Sequence, residues 1–187
     1  MSRMNLTVLI VSDDQRLGRV VQREISARGH IAITAESGSE AIAMAGASFQ
    51  DIIILDSTSG GEQAIHLARN LLCIRSVAIL MLAGSDEEIE RARAEGVEVR
   101  GYLRKPFATS QLWAGIKEAL EVHCKLQEEM VLVAAAYDQC DFDEALWKAA
   151  QVAMRWRNCD ATAAYEEVAR LAASRARALR KEMGAAA

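Results

Sequence analysis

The stretch VLIVSDDQRL, residues 8–17, runs four apolar residues straight into Ser12, Asp13 and Asp14. An unbroken apolar run reads as a strand buried on both faces, and the acids then stand at its carboxyl end, where a helix-period segment begins. The pattern recurs along the chain. VLIV (8–11) is followed by RLGRVVQREISARG, HIAITAE (30–36) by SEAIAMAGAS, and DIIILD (51–56) by EQAIHLARNLL. VAILMLA (77–83) is followed by DEEIERARAEG, and VRGYLRK (99–105) by TSQLWAGIKEALEVH. Five such β/α units predict an α/β fold: a parallel sheet covered by helices on both faces. Gly29 and Gly96 stand just past two helices, and Ser37 and Ser85 stand where N-caps belong.

Length and composition set the outer limits. With 187 residues, 51% of them hydrophobic, the chain can build one full domain and a smaller second unit. A formal charge of -4 gives no global pull toward nucleic acid or an anionic membrane. Cys73, Cys124, Cys140 and Cys159 form no CxxC pair, and no histidine stands at zinc-ligand spacing to complete a set, so reduced, mostly buried thiols are expected. The opening MSRMNLTVLIV is too short an apolar run for a membrane span, so we expect a cytoplasmic protein without a signal or anchor. After residue 122 strand signals stop, and the remainder reads as helices rich in Ala, Arg, Glu and Leu.

In a doubly wound sheet the loops at the carboxyl ends of the strands form the ligand crevice. Asp13 and Asp14 end the first strand, Asp56 ends the third, and Lys105 ends the fifth. Gathered carboxylates raise one another's pKa unless a cation intervenes, and Mg2+ is the natural hard complement to oxygen ligands. An aspartate beside such an ion and a lysine ammonium is suited to attack a phosphoryl group, because both cations offset the charge that develops.

Three features together make residues 6–122 resemble the receiver domain of two-component response regulators. They are the acids ending strand 1, Asp56 after DIII, and the segment Tyr102-Leu103-Arg104-Lys105-Pro106-Phe107. The resemblance implies a flavodoxin-like (βα)5 fold with a five-stranded parallel sheet. It implies that Asp56 is the phosphoacceptor, that Lys105 contacts the phosphoryl group, and that Asp13, Asp56 and the Thr58 carbonyl hold Mg2+. Tyr102 would be the aromatic switch, the Lys105–Pro106 bond would be cis, and the partner would be a sensor histidine kinase or a regulatory protein. The face built from helix 4, strand 5 and helix 5, which carries Trp113, is one that receivers use for docking; packing is the plainer role for that indole.

The chain also departs from the pattern. Ser12 stands where the family has the first acid, with Asp14 one residue too late to replace it, so Mg2+ affinity is expected to be weakened. Ala83, followed by Gly84, occupies the switch position that normally carries Thr or Ser, and Ser85 sits at a capping position instead. The loop STSGGEQ lacks the usual Met-Pro. Two readings of Asp56 stay open: a working phosphoacceptor with weakened signalling, or a binding module controlled by a partner.

The tail is basic, with Lys148, Arg155, Arg157, Arg170, Arg175, Arg177, Arg180 and Lys181 against few acids. Its pattern Ala149…Val152-Ala153-Met154…Asn158-Cys159-Asp160…Ala164-Tyr165…Val168…Leu171-Ala172 resembles the ANTAR domain, a three-helix module that binds paired RNA hairpins in transcription antitermination. The resemblance covers residues 130–183; Ala150 and Ala153 depart from its usual residues. It implies that Tyr165 stacks on a loop base and that Arg155, Arg157, Arg170, Arg175 and Arg177 contact phosphates of hairpin RNA. Apolar spacing over residues 116–136 suits a short coiled coil joining two protomers in a homodimer. The expected organisation is a receiver (1–122), a helical linker or coiled coil (123–143), and an ANTAR-like output domain (144–187). Such a protein is a binding switch rather than a turnover enzyme. The rival reading is a protein-interaction adaptor whose receiver answers to a partner and whose tail touches no RNA.

Overall fold

Alternate residues of each central strand are buried on opposite faces, and this decides how the helices are distributed. The computed structural model describes residues 5–57, 61–97 and 99–138. Its elements run β1 (Thr7–Val11), α1 (Gln15–Ser26), β2 (Ile31–Ala35), α2 (Gly38–Ala47) and β3 (Ile52–Asp56). They continue α3 (Gly61–Ile74), β4 (Ala78–Ala83), α4 (Asp86–Ala94), β5 (Gly101–Arg104) and α5 (Thr109–Asp138). The sheet is parallel throughout, in the order β2-β1-β3-β4-β5.

Leu9, Val11, Ile53, Leu55, Ile79 and Met81 pack on one side with Ala41 and Ala45 of α2, Ile65 and Leu71 of α3, and Ala92 of α4. Val8, Ile10, Ile52, Ile54, Leu80 and Leu82 pack on the other with Val21 and Ile25 of α1, and Leu112, Ile116 and Ala119 of α5. Burial on both faces is why the strand sequences are apolar at every position rather than at every second one. Each fully buried Ile or Leu here contributes roughly 1.5–3 kcal/mol. This is the helix-covered parallel sheet that the alternating pattern predicts, and the flavodoxin-like (βα)5 fold that the resemblance implies.

Local signals act where they stand. Ser37 Oγ accepts the Glu40 N–H at 3.2 Å, and Ser85 Oγ accepts the Glu88 N–H at 3.3 Å, so both serines cap their helices. Gly29 and Gly96 adopt φ of 83° and 67°, the left-handed region that a glycine enters without a Cβ penalty. The fifth strand starts later than its sequence suggests. Val99 N–H donates to the Val97 carbonyl at 2.7 Å, and the β-ladder begins at Gly101.

One expectation fails. Cys73 and Cys124 are free and exposed rather than buried. On α3 the inward stripe is Ala64, Ile65, Ala68 and Leu71, which turns Cys73 outward. On α5 the buried positions Ile116, Ala119 and Leu126 leave Cys124 on the open side. Cys140 and Cys159 lie outside the described residues, as does the expected three-helix tail domain. The chain divides into two compact units, Met1–His123 and Cys124–Ala187. No described helix is long and apolar enough to cross a membrane.

Candidate functional site

The strand order reverses beside β1, and the crevice at the carboxyl ends of β1 and β3 opens at that point. Register brings the polar ends together. Val11 pairs with Leu55, so the next residues, Ser12 and Asp56, stand side by side. Asp56 pairs with Leu82 and Ala83 with Arg104, so Lys105 follows directly at the same end of the sheet. Lys105 N–H is itself fixed to the Ala83 carbonyl at 2.8 Å, and the Lys105–Pro106 bond is cis.

Asp56 is held from both sides. Lys105 Nζ donates to Asp56 Oδ1 at 2.6 Å, and Ser12 Oγ donates to Asp56 Oδ2 at 2.8 Å. The Asp56 side chain is 0% exposed and that of Lys105 19%, so this ion pair is largely shielded from water. A buried carboxylate is tolerable only with such compensation. Beside it lies a cavity of about 160 Å3 lined by Ser12, Asp13, Glu36, Asp56, Gln63 and Leu67, among others. Asp13, Asp56 and Lys105, three residues singled out from sequence, thus share one site.

Asp14 is turned to another task. Its Oδ1 accepts the N–H groups of Arg16 at 2.8 Å and Leu17 at 3.3 Å, capping α1. A cap of this kind is worth about 1 kcal/mol. Asp14 therefore does not stand in for the acid that Ser12 replaces. Mg2+ takes near-octahedral oxygen ligands, often one or two carboxylates with waters. Asp13 and Asp56 meet that minimum, but Ser12 brings a hydroxyl that donates to Asp56 rather than a third carboxylate. Among the described residues no group of three His, Cys, Asp or Glu gathers to hold a metal. Two carboxylates and a hydroxyl present less negative charge to a cation than three acids would. Thr58 lies outside the described residues.

The switch positions are also placed. Ala83 is fully buried and offers only a methyl group. The Ser85 hydroxyl is engaged as the α4 cap. Tyr102 is half-buried against the cluster on the α2–α4 side, and its phenol is pushed up by that burial. The Arg93 guanidinium of α4 lies 5.3 Å from the Tyr102 ring centroid. Trp113 packs in the α1–α5 cluster, with the His30 ring at 5.4 Å and the Arg28 guanidinium at 4.4 Å, which fits the packing role. Arg155, Arg157, Tyr165, Arg170, Arg175 and Arg177 lie outside the described residues.

Sequence reasoning missed Ser12 as a partner of Asp56, and it missed Ser57 and Glu88. Ser57 Oγ donates to Glu88 Oε2 at 2.6 Å, and Gly84 N–H donates to the same oxygen at 2.8 Å. These bonds hold the Glu88 carboxyl below the usual glutamate range. The Ser57 hydroxyl is the largest cause, burial opposes it, and the Gly84 N–H and the charges of Lys105 and Arg91 assist. A readable signal existed in the capping-box spacing Ser85-x-x-Glu88.

Comparison with known proteins agrees with this geometry. The model of the response regulator receiver domain matches residues 8–117. The chain is 29% identical over 118 residues to the alkaline phosphatase synthesis transcriptional regulatory protein PhoP of Bacillus subtilis (strain 168), an alignment covering 63% of this chain and 49% of that protein. It thus spans about half the length of this curated relative. Among solved structures, the Vibrio cholerae chemotaxis protein CheY4 superposes with a TM-score of 0.55 at 26% identity, over 62% of this chain and 99% of that one. A response regulator receiver protein from Burkholderia phymatum gives 0.54 at 28% identity, over 63% and 96%. With a parallel sheet in the order β2-β1-β3-β4-β5, Asp56 paired to Lys105 at its carboxyl edge and a family match over residues 8–117, the chain belongs to the response regulator receiver domain family.

Proposed function

We propose that this is a response-regulator-like signalling protein in which Asp56 accepts a phosphoryl group and the receiver controls an ANTAR-like RNA-binding tail in transcription antitermination. The observation that carries the receiver half is the 2.6 Å contact of Lys105 Nζ with Asp56 Oδ1 beside a cavity that Asp13 also lines. Asp56 supplies the nucleophilic oxygen. Lys105 holds its positive charge where phosphoryl oxygens would gather, and the shielding of the pair from water strengthens that attraction. Asp13 and Asp56, with the Thr58 carbonyl by resemblance, would hold Mg2+, which when bound offsets phosphoryl charge. Ser12 lowers the negative charge of this set, so the reaction is slower and needs more Mg2+ than in a receiver with three acids. The partner that delivers the phosphoryl group is a sensor histidine kinase.

For the tail, support comes from sequence: the excess of basic residues and the ANTAR-like spacing around Tyr165. Arg155, Arg157, Arg170, Arg175 and Arg177 contact phosphates of hairpin RNA, and a homodimer formed through the extended last helix presents two tails to paired hairpins. The protein acts as a binding switch rather than a turnover enzyme. Binding of the full chain to hairpin RNA, titrated over salt concentration, tests this. Affinity should fall as salt rises, and the double substitution Arg175→Ala and Arg177→Ala should flatten that dependence; indifference to both salt and substitution would sink the RNA reading.

A second reading has an observation in its favour. Ser12 and Lys105 between them engage both oxygens of Asp56, and Ala83 provides no hydroxyl to answer a phosphoryl group. On this reading the receiver is an adaptor held in one state and controlled by a partner protein.

A further inference from the structure

At the end of β4 a buried methyl group, Ala83, is followed by backbone that a carboxylate engages. Ala83 carries a methyl group, yet the backbone that follows is tied down, because Gly84 N–H and Ser57 Oγ converge on one oxygen of Glu88. Ser57 is the residue after Asp56, and its own N–H donates to the Leu82 carbonyl at 3.0 Å. Glu88 lies in the first turn of α4. A single carboxylate oxygen thus joins the end of β3, the end of β4 and the start of α4.

Further contacts extend the connection. Lys105 pairs with Asp56 at 2.6 Å, and its charge is a lesser cause, after the Ser57 and Gly84 bonds, of the lowered Glu88 pKa. α4 is bound to β5 as well: Arg104 donates to Asp86 at 2.6 Å, and Arg93 lies over Tyr102. A change at Glu88 is therefore passed to the surface formed by α4 and β5.

We propose that Glu88 is a positioning residue that couples the charge carried by Asp56 to the amino end of α4. The inference rests on Asp56 as phosphoacceptor. In the transfer, an Asp56 carboxylate oxygen attacks the phosphorus of a small acyl phosphate. The bond between phosphorus and the acyl oxygen breaks, and the carboxylate leaves with the electron pair. The acyl phosphate formed on Asp56 carries more negative charge and more acceptor oxygens than the carboxylate did. It competes with Glu88 for the Ser57 and Gly84 donors and takes up more of the Lys105 charge. Glu88 is repelled, and the first turn of α4 is released.

The test uses the full chain in two arms. In the first, acetyl phosphate and Mg2+ are added to the native protein and to Glu88→Gln, and the adduct at Asp56 is followed by intact mass and peptide mapping. Glu88→Gln removes one repelling charge while keeping side-chain volume, and labelling should be roughly three- to ten-fold faster. Equal rates would overturn the proposal. In the second arm, amide hydrogen exchange at Gly84 and along α4 is compared between the native protein and Asp56→Asn, without any phosphodonor. Neutralising Asp56 removes one negative charge near Glu88 and leaves the Lys105 charge less compensated, so Glu88 holds the Ser57 and Gly84 donors more firmly and exchange at these amides should slow; unchanged exchange would overturn the coupling. Absence of any Asp56 adduct in both proteins would overturn the phosphoacceptor reading only, and the coupling would then be judged by the exchange arm.

Discussion

Lys105 and Ser12 hold Asp56 by different chemistry, and substitution separates their roles. Removing the Lys105 charge takes the cationic partner from a carboxylate whose side chain is shielded from water, which costs roughly 3–5 kcal/mol. Lys105→Met should show that loss in urea unfolding, whereas Asp56→Asn should lose much less because the Lys105 ammonium keeps part of its access to water. Equal losses would contradict the burial asymmetry. Ser12→Asp restores a third acid to the site, so the metal-free protein should melt at lower temperature and gain more from added Mg2+ than the native chain. Thermal melts over a Mg2+ series read both effects, and parallel curves would rule the idea out. The three residues Asp13, Asp56 and Lys105 were legible because each ends an apolar strand. The bond from Ser12 to Asp56 was not. It joins positions 44 residues apart, and it exists only because β1 and β3 pair with Val11 opposite Leu55.

At the scale of elements, the cores and caps were readable where one residue type answers one local need. Ser37, Ser85, Gly29 and Gly96 each act within their own turn. The outward placement of Cys73 and Cys124 was not readable from the cysteines themselves, because it is set by which neighbours take the inward stripe. Fully buried Ile54 links β1, β3 and β4, so Ile54→Ala should cost about 2–5 kcal/mol in denaturant unfolding. On α4, the folded pKa of Glu88 lies below its ordinary value of 4.5. Its contribution to stability is therefore complete above pH 4.5 and is lost as pH falls through the lower folded value. Melts between pH 6 and pH 3 should show a smaller acid-side loss in Glu88→Gln than in the native protein. On α5, half-buried His123 has no hydrogen-bond partner for Nδ1 among the described residues, and burial first, then the charge of Arg100, depresses its pKa. Stability should decline as pH falls below 6.5, more steeply in the native chain than in His123→Phe.

At the scale of the whole sheet, the parallel order β2-β1-β3-β4-β5 gathers the carboxyl ends of five strands into one edge, the place where an open α/β sheet offers a ligand crevice. In this chain Lys105 and Ser12 meet Asp56 at that edge, and the β4 end is tied to Glu88 beside the methyl group of Ala83. The assignment of a basic helical tail to RNA rests on composition and spacing, which carry less positional information than a strand-end pattern. The most direct measurement is exposure of the native protein and Asp56→Asn to acetyl phosphate and Mg2+, followed by intact mass. One added phosphoryl group on the native chain, mapped to Asp56, increasing with Mg2+ and missing from Asp56→Asn, is the result expected. No adduct on the native chain, or one that persists in Asp56→Asn, would contradict the account.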